Sequence, residues 1–316
     1  MPTRRPRILL VYAVPFSGHA QAAFALRQAL ETGKAFEVKE YHFLQQWKTL
    51  GEAVVNFYRW MLKQAPEVWG HVHDNPDYKG FADYVVEGVQ QWDVTGLLEQ
   101  VEREKPTAII AFQAFPMRIL AEAKMHGKLN VPLYVVTTDF WAHRYWAHPG
   151  VDHYFASTER AVCDLHKQGI QLKKITETGI PLRQEFLEIL PVTQAQARKK
   201  LKLDQDTPTI FVMGGSHGFF SFKEFFRTIA SQKKFHAYQW LFLFGNDHDG
   251  LAEAQELLVQ QELACVRVFG FRRDVAHLMR ASDVFITKAG GLSTSEALAM
   301  HLPMVLCKPL PGQEQK

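Results

Sequence analysis

The stretch DVFITKAGGLSTSEALAMHLPMVL, residues 283–306, decides the fold. Its apolar run at 283–287 is typical of a short buried strand, and a second such run spans 303–307. Between them lie a glycine pair and a helical pattern of small and apolar residues. A strand, a turn, a helix and a second strand form a βαβ unit, so the stretch predicts part of a parallel sheet.

The turn in this stretch is richer in small polar groups than a bare turn requires. Gly290 and Gly291 let a ligand approach the backbone, and the helix after them is predicted to have Ser293 or Thr294 as its cap and Glu296 in its first turn. A helix start offers free N–H groups and a positive dipole end. The sequence therefore predicts a pocket for a group that is hydroxylated, anionic or both.

The same alternation of short apolar runs and helical patterns fills the rest of the chain. The runs that predict strands are 7–14, 35–41, 107–112, 132–138, 152–157, 208–215, 238–245, 265–270, 283–287 and 303–307. A Pro-bounded, charged stretch near 190–206 separates the two groups of strands and is typical of a linker. We predict an α/β protein of two doubly wound, parallel-sheet (Rossmann-like) domains, residues 1–190 and 191–316.

Composition excludes several classes of protein. The chain has 316 residues, of which 47% are hydrophobic and 22% charged, which is typical of a globular protein with two cores. A net charge of +3 is too small to indicate nucleic-acid binding. Three scattered cysteines fit a reduced compartment, and the longest early apolar run is too short for a signal peptide or a membrane span. We predict a cytoplasmic protein.

An aromatic-rich helical pattern at 43–64 interrupts the alternation. Apolar residues including Trp47 and Trp60 recur there, and lysine and arginine side chains interleave with them. Two interpretations remain open: a core helix that packs on its own sheet, or a surface helix that dips into an anionic membrane interface.

The first strand-to-helix junction, YAVPFSGHAQAAFALRQAL, places His19 at a predicted helix start. The positive end of the helix disfavours an imidazolium, so His19 is expected to be neutral near pH 7 and able to accept a proton. The alternative is a packed or capping histidine without a role in chemistry.

The segment VTTDFWAHRYWAHPGVDHYFAS holds several metal-ligand residue types in a loop. Asp139 follows a predicted strand directly, which is a typical active-site position in such sheets. The spacing of His143, His148 and His153 matches no standard zinc pattern, so no metal site is predicted.

Two further junctions resemble anion sites. Arg183 lies in a Gly/Pro loop after a strand-like run and is a candidate phosphate ligand; the alternative is a surface ion pair. Gly214, Gly215 and Ser216 follow the strand at 208–215 and precede a helix, a phosphate-cradling pattern that is neither a Walker loop nor a dinucleotide fingerprint.

Taken together, these motifs resemble the monogalactosyldiacylglycerol synthase and processive diacylglycerol glucosyltransferase family, whose fold is GT-B. The similarity runs almost end to end and is most specific in TDFWAHRYWAHPGVDHYFAS, TGIPLRQEF, the stretch GFRRDVAHLMRASDVFITKAGGLSTSEALAMHLPMVL, and PLPGQE. It implies two domains with a cleft between them, of which the second binds a UDP-sugar and the first a lipid acceptor.

The resemblance also implies roles for individual residues. His19 is the candidate catalytic base, with Asp139 nearby as the alternative, and Trp47, Trp60 and His143 lie on the acceptor or membrane side. The UDP-sugar ligands that it implies are Arg183, Gly214, Gly215, Ser216, Phe271, Gly290, Gly291, Glu296, Gln313 and Glu314. No cofactor or metal is expected beside the UDP-sugar donor.

The chain departs from the family pattern at three places. The first loop lacks the first glycine of G-x-G-H, Gln113 stands where the family tends to have a histidine, and the chain ends at PGQEQK, where relatives continue, so the second domain is expected to be incomplete.

The predicted function is that of an inverting glycosyltransferase that moves glucose or galactose from UDP-glucose or UDP-galactose to diacylglycerol. We expect it to associate peripherally with the anionic inner face of the cell membrane. The alternatives are a catalytically weak nucleotide- or lipid-binding relative, and a UDP-sugar epimerase of the same fold.

Overall fold

The structure is a computed structural model that describes residues 5–15, 17–43, 95–214 and 222–307. The chain divides into two compact units, one of which ends at Arg183 and the other of which begins at Gln184. The sequence-based boundary lay after residue 190. Each unit is an α/β unit with its own parallel sheet.

The first unit alternates strands and helices along the chain. Its elements are β1 (Arg7–Tyr12), α1 (Gly18–Thr32), β2 (Glu37–His42), α2 (Thr95–Glu104), β3 (Ala108–Ala111), α3 (Ala114–Met125), β4 (Leu133–Val136), β5 (His153–Ala156), α4 (Glu159–Lys167) and β6 (Ile175–Glu177), with short 3₁₀ helices at Arg144–Trp146 and Leu172–Lys174.

The second unit repeats this alternation. Its elements are α5 (Glu185–Glu188), α6 (Gln194–Leu201), β7 (Thr209–Met213), α7 (Phe222–Ser231), β8 (Gln239–Gly245), α8 (His248–Gln260), β9 (Val266–Gly270), α9 (Val275–Ala281), β10 (Val284–Thr287), α10 (Gly291–Ala299) and β11 (Met304–Leu306), with a 3₁₀ helix at Lys233–Ala237.

The first sheet has the strand order β2-β1-β3-β4-β5-β6, and all of its pairs are parallel. The chain leaves β1 toward β2 on one side and returns to β3 on the other, so the direction of winding reverses between β1 and β3. Ligands in open parallel sheets bind beyond the carboxyl ends of the strands at such a switch point. Here that place is the end of β1, where α1 begins.

Small residues let α1 lie close to this sheet. Ala20, Ala22, Ala23 and Ala25 are all buried on the helix. Leu9, Leu10 and Val11 of β1 are fully buried. Close packing of this kind fixes the first turn of α1, and hence His19, relative to the sheet.

The second sheet has the order β11-β10-β7-β8-β9 and is also parallel throughout. Its switch point lies between β7 and β10. Successive residues of β8 enter different cores: Leu241 and Leu243 join one cluster, while Trp240 and Phe242 join another. Since neighbouring side chains on a strand point to opposite faces, both faces of this sheet are covered.

The predicted strands are all present, with their ends shifted by a few residues. A further strand, β6, was expected only as a strand-like run before Arg183: it has three residues, and its Thr176 and Glu177 are exposed, so it lacks a continuous apolar run. Residues 190–206, interpreted as a linker, contain α6, whose Ala197 packs in a core of the second unit. The structure thus places this stretch within the second unit.

The predicted cap of the helix in the opening stretch is wrong. The helix α10 begins at Gly291, and its N-cap is Gly290, so Ser293 and Thr294 lie inside it. Its first turn contains no acidic residue, and Glu296 lies in the following turn. The physical reason is that Gly290 already has the extended backbone of an N-cap, with φ −78° and ψ 135°, and glycine is itself a favoured residue at that position, so the helix begins before the two hydroxyl residues.

Among the described residues, none of the helices combines the length and the hydropathy that crossing a bilayer requires. The predicted helix at 43–64, with Trp47 and Trp60, lies outside the described residues apart from its first position.

Candidate active site

His19 lies at the switch point of the first sheet. It is the second residue of α1, and its side chain is half-buried. The N-cap is Ser17, whose Oγ accepts a hydrogen bond from the Ala20 amide at 3.3 Å and donates one to the Val14 carbonyl at 2.7 Å. A short turn closed in this way presents His19 at the carboxyl edge of the sheet.

A side chain from the neighbouring strand holds the start of this turn. Gln113, two residues after the end of β3, accepts hydrogen bonds on Oε1 from the amides of Ala13 at 2.6 Å and Val14 at 3.4 Å. Gln113 is also the N-cap residue of α3, but its side chain makes no capping bond there. Its amide oxygen is used instead to fix the backbone that leads to His19.

The chain segment after β4 also lies beside His19. β4 is the neighbour of β3 on the side away from β1. The side chain of Thr138 is buried, and its Oγ1 lies 2.5 Å from His19 Nδ1, within hydrogen-bond distance. Asp139 follows it and is half-buried. Residues that are far apart in sequence, one from the helix after β1 and one from the loop after β4, therefore meet at the candidate base.

Hydroxyl groups at the end of β5 anchor this part of the chain. The Ser157 amide donates to Thr137 Oγ1 at 2.9 Å, and Ser157 Oγ donates to the Asp139 carbonyl. Thr158 Oγ1 donates to the Phe140 carbonyl at 2.6 Å. These bonds fix the backbone on both sides of Thr138.

His143 belongs to an aromatic group in the loop after β4. Its ring centroid lies 5.4 Å from that of Trp141 and 4.5 Å from that of Tyr145. All three side chains are half-buried. Asp164 of α4 accepts a hydrogen bond from the Ala142 amide at 3.3 Å, and Gln168 donates to the Ala142 carbonyl at 2.8 Å. The loop is therefore built onto α4 and carries its aromatic group beside Asp139.

The remaining polar residues of this segment hold structural positions. His148 accepts a hydrogen bond on Nδ1 from the Gly150 amide, so its Nε2 carries the proton and donates to Glu122 at 3.0 Å. This bond lowers the pKa of the Glu122 carboxyl below its usual value. Gly150 itself packs against α3, where an added Cβ would lie 2.5 Å from the Ala121 carbonyl oxygen.

Asp152 and His153 are engaged elsewhere. Asp152 accepts from Lys124 and from the Leu133 amide, and His153 Nε2 lies 2.8 Å from Thr176 Oγ1. Within the part of the chain that the structure describes, no three His, Cys, Asp or Glu side chains are grouped so that they could hold a metal ion.

The second sheet brings two of the candidate segments to its switch point. Thr287 ends β10 and donates from Oγ1 to the Met213 carbonyl at 3.0 Å, which ties β10 to the end of β7. Gly214 follows Met213 and is buried. The turn at Gly290 and the start of α10 at Gly291 lie directly beyond β10. Gly214 and the turn at Gly290 thus follow two neighbouring strands of the sheet.

Glu296 is buried in α10, with an exposed fraction of 2%. A carboxylate this buried is expected to be held by hydrogen bonds or by a ligand.

Phe271 has the opposite environment: it follows β9 and is 56% exposed. Next to it, Arg272 forms a two-bond ion pair with Asp274, and this pair lowers the pKa of the Asp274 carboxyl. Arg183 is half-buried at the end of the first unit, in the loop after β6.

Six of the candidate residues lie outside the described residues: Trp47, Trp60, Gly215, Ser216, Gln313 and Glu314. Two contacts at the site were not predicted as such. Thr138 carries no sequence signal of its own beside the carboxylate of Asp139. Gln113 was noted only as a departure from the family pattern, and the signal for its role was its position just after a strand next to β1.

Comparison with known protein families gives two matches. The profile of monogalactosyldiacylglycerol (MGDG) synthase matches residues 19–182, and that of the glycosyltransferase family 28 C-terminal domain matches residues 209–316. Among curated proteins, the chain is 27% identical over 332 residues to the processive diacylglycerol beta-glucosyltransferase of Bacillus mycoides (strain KBAB4). The matched region covers 99% of this chain and 79% of that protein.

Solved structures have the same fold. MurG of Acinetobacter baumannii matches with a TM-score of 0.55 and 13% identity over 98% of this chain and 80% of MurG. HepE of Anabaena, in complex with UDP and glucose, matches with a TM-score of 0.53 and 12% identity over 98% of this chain and 83% of HepE. The UDP-GlcNAc 2-epimerase of Neisseria meningitidis matches with a TM-score of 0.59 and 15% identity over 95% of this chain and 82% of the epimerase.

The two parallel-sheet units and the matched families define a glycosyltransferase of the GT-B fold. Within that class, the chain belongs to the monogalactosyldiacylglycerol synthase family.

Proposed function

We propose that this protein transfers a hexose, glucose or galactose, from a UDP-sugar to diacylglycerol with inversion at the anomeric carbon. Membership of the monogalactosyldiacylglycerol synthase family and the similarity to processive diacylglycerol glucosyltransferases support this acceptor. The observation that carries the proposal is the half-buried His19 at the switch point of the first sheet, next to Thr138.

In the proposed reaction, His19 is the general base. The acceptor hydroxyl gives its proton to the imidazole while its oxygen forms a bond to the anomeric carbon. The bond from that carbon to the diphosphate oxygen breaks, and UDP leaves with the electron pair. One displacement of this kind inverts the configuration at the anomeric carbon. Asp139, three residues beyond the end of β4, is the alternative base.

The second unit is proposed to bind the donor. The glycine turn at Gly290 and Gly291 would place the diphosphate against the N–H groups at the start of α10, where the helix dipole favours negative charge. Glu296 would accept hydrogen bonds from the ribose hydroxyls, and Phe271 would contact the uracil. Gly214, together with Gly215 and Ser216, would line the nucleotide side.

The charge that develops on the leaving UDP needs a positive environment. Arg183 is proposed to bind the phosphates, and Gln313 and Glu314 the sugar. Since backbone N–H groups and a guanidinium can stabilise this charge, we propose that no metal ion or further cofactor is required. Activity that is retained in EDTA supports this; loss in EDTA that Mg²⁺ restores contradicts it.

Diacylglycerol resides in a bilayer, so the enzyme must reach the membrane surface. We propose that it associates peripherally with the inner face of the cell membrane through anionic lipid, with Trp47, Trp60 and His143 on the acceptor side. Co-sedimentation with anionic vesicles, which should weaken with salt, tests this against a Trp47→Ala/Trp60→Ala variant. Equal binding of both proteins would assign these tryptophans to another role.

The transfer itself is tested with labelled UDP-glucose and UDP-galactose in vesicles with and without diacylglycerol. We expect labelled glycolipid that depends on diacylglycerol, and NMR of the product should give the β-anomer from the α-linked donor. Sugar interconversion without acceptor would instead indicate an epimerase. Binding of UDP or lipid with no product from either sugar would indicate a binding protein.

A further inference from the structure

The Thr138 hydroxyl contacts one of the two ring nitrogens of His19, which is the position of a side chain that orients a histidine ring. His19 Nδ1 lies 2.5 Å from Thr138 Oγ1. An imidazole has one proton on two nitrogens when it is neutral, and the partner of one nitrogen decides which nitrogen holds the proton. A threonine hydroxyl can either accept from Nδ1–H or donate to Nδ1, so the direction of this hydrogen bond decides the tautomer of His19.

We propose that Thr138 is a positioning residue for His19, and this inference rests on the proposed role of His19 as the base. Thr138 Oγ1 accepts the hydrogen bond from Nδ1–H, so the lone pair of the imidazole resides on Nε2. The acceptor hydroxyl then transfers its proton to Nε2, while its oxygen bonds to the sugar and UDP leaves with the electron pair. The reverse tautomer would carry a proton on Nε2 and could not act as the base there.

Hydrogen bonds restrain the backbone on both sides of Thr138, as the orientation of His19 requires. Its own side chain is buried at 4% exposure. The residue before it is fixed to Ser157 through Thr137 Oγ1 at 3.2 Å, and the carbonyl of the residue after it accepts from Ser157 Oγ. A base must be held within a narrow range of positions to be efficient, and this clasp of hydroxyl groups restrains the backbone from which Thr138 projects.

A hydroxyl partner differs chemically from the carboxylate that orients histidine in the Ser-His-Asp arrangement. A carboxylate orients the ring and also stabilises the imidazolium by its charge. Thr138 is uncharged, so it orients the ring without adding this stabilisation. The role that this contact gives Thr138 is therefore to orient the ring of His19.

The chain contains a matched control for this pair. His153 Nε2 lies 2.8 Å from Thr176 Oγ1 on β5 and β6, and both side chains are more exposed than Thr138. Thr176→Val removes a threonine hydroxyl from a histidine in the same sheet. This change is expected to leave glycosyl transfer as in the wild type and to alter only the imidazole signals of His153.

The first measurement is the tautomer of His19 by ¹H–¹⁵N NMR of the full chain without substrate, with the His19 signals assigned by their loss in His19→Gln. We expect a protonated Nδ1 and an unprotonated Nε2. In Thr138→Val, which keeps the shape of the side chain but removes the hydroxyl, this preference should be lost, and Thr138→Ser should restore it. A wild-type His19 with the proton on Nε2 would overturn the proposal without any activity measurement.

The second measurement is glycosyl transfer by the same variants. We expect Thr138→Val to lower kcat by about tenfold, the scale of one neutral hydrogen bond, with the KM for the UDP-sugar unchanged. Thr138→Ser should recover most of kcat. Wild-type kcat in a folded Thr138→Val variant would overturn the inference and leave the proposed function intact, whereas a wild-type protein with no transferase activity would refute the proposed function itself.

Discussion

Gln113 Oε1 accepts a hydrogen bond from the amide of Ala13 at 2.6 Å, so the end of one central strand fixes the turn that leaves its neighbour. That turn leads to His19 within a few residues. A single amide side chain therefore connects the two strands on either side of the switch point and stabilises the backbone that carries the candidate base.

We expect Gln113→Leu to destabilise the protein, because the amide of the buried Ala13 would lose its acceptor. The free energy of unfolding should fall by about 1–3 kcal/mol, the usual cost of a buried donor left without a partner. Urea denaturation measures this, and kcat should fall in parallel since the turn before His19 loosens.

Gln113→Glu is the control, as it keeps an oxygen that can accept from the same amide. It should be closer to the wild type than the leucine variant in both stability and kcat. If Gln113→Leu is as stable as the wild type, the hydrogen bond to Ala13 does not hold the turn.

Glu296 is expected to bind the ribose of the donor. Glu296→Ala should weaken the binding of UDP by about 1.5–3 kcal/mol, the scale of hydrogen bonds to a charged group. Isothermal calorimetry on protein that circular dichroism finds folded measures this. Glu296→Gln, which keeps the shape and one acceptor oxygen, should lose less. Unchanged affinity in the alanine variant would restrict Glu296 to a structural role in α10.

The pair of Glu122 and His148 predicts a dependence of stability on pH. The hydrogen bond from His148 lowers the pKa of Glu122 in the folded protein, so the folded state favours the carboxylate. The stabilisation is present above the unfolded pKa of the carboxyl and is lost as the pH falls through the lowered folded pKa. Because the Glu122 side chain is 41% exposed, we expect less than about 1 kcal/mol.

The measurement is urea denaturation of the wild type and Glu122→Gln between neutral and acid pH. The stability difference between the two proteins should be largest near neutrality and should disappear at acid pH. A difference that stays constant across this range would mean that the Glu122 charge does not contribute.

Much of the fold was predictable from the sequence because buried parallel strands are nearly continuous apolar runs. All five residues after the first in β1 are buried, and the run that predicted this strand was unmistakable. The exception is β6, which has one buried residue among three and lies at the edge of the sheet. Periodicity carries no information about a strand of that length and exposure.

The site was only partly predictable because contacts between strands depend on topology. His19 and Asp139 were found from their positions after strands. The pairing of His19 with Thr138 requires knowledge that β1 and β4 are both neighbours of β3. The capping error at α10 has a different origin: hydroxyl residues are good caps, but the glycine turn starts the helix before they are reached.

The claim that His19 is the general base is tested most directly by kcat for glycosyl transfer to diacylglycerol in His19→Ala, compared with Asp139→Asn. We predict a loss of about 10²–10⁴-fold in kcat for His19→Ala, the usual contribution of a general base, with the affinity for the UDP-sugar nearly unchanged and a smaller loss for Asp139→Asn. A His19→Ala enzyme that keeps most of its kcat, with the large loss in Asp139→Asn instead, would contradict this account.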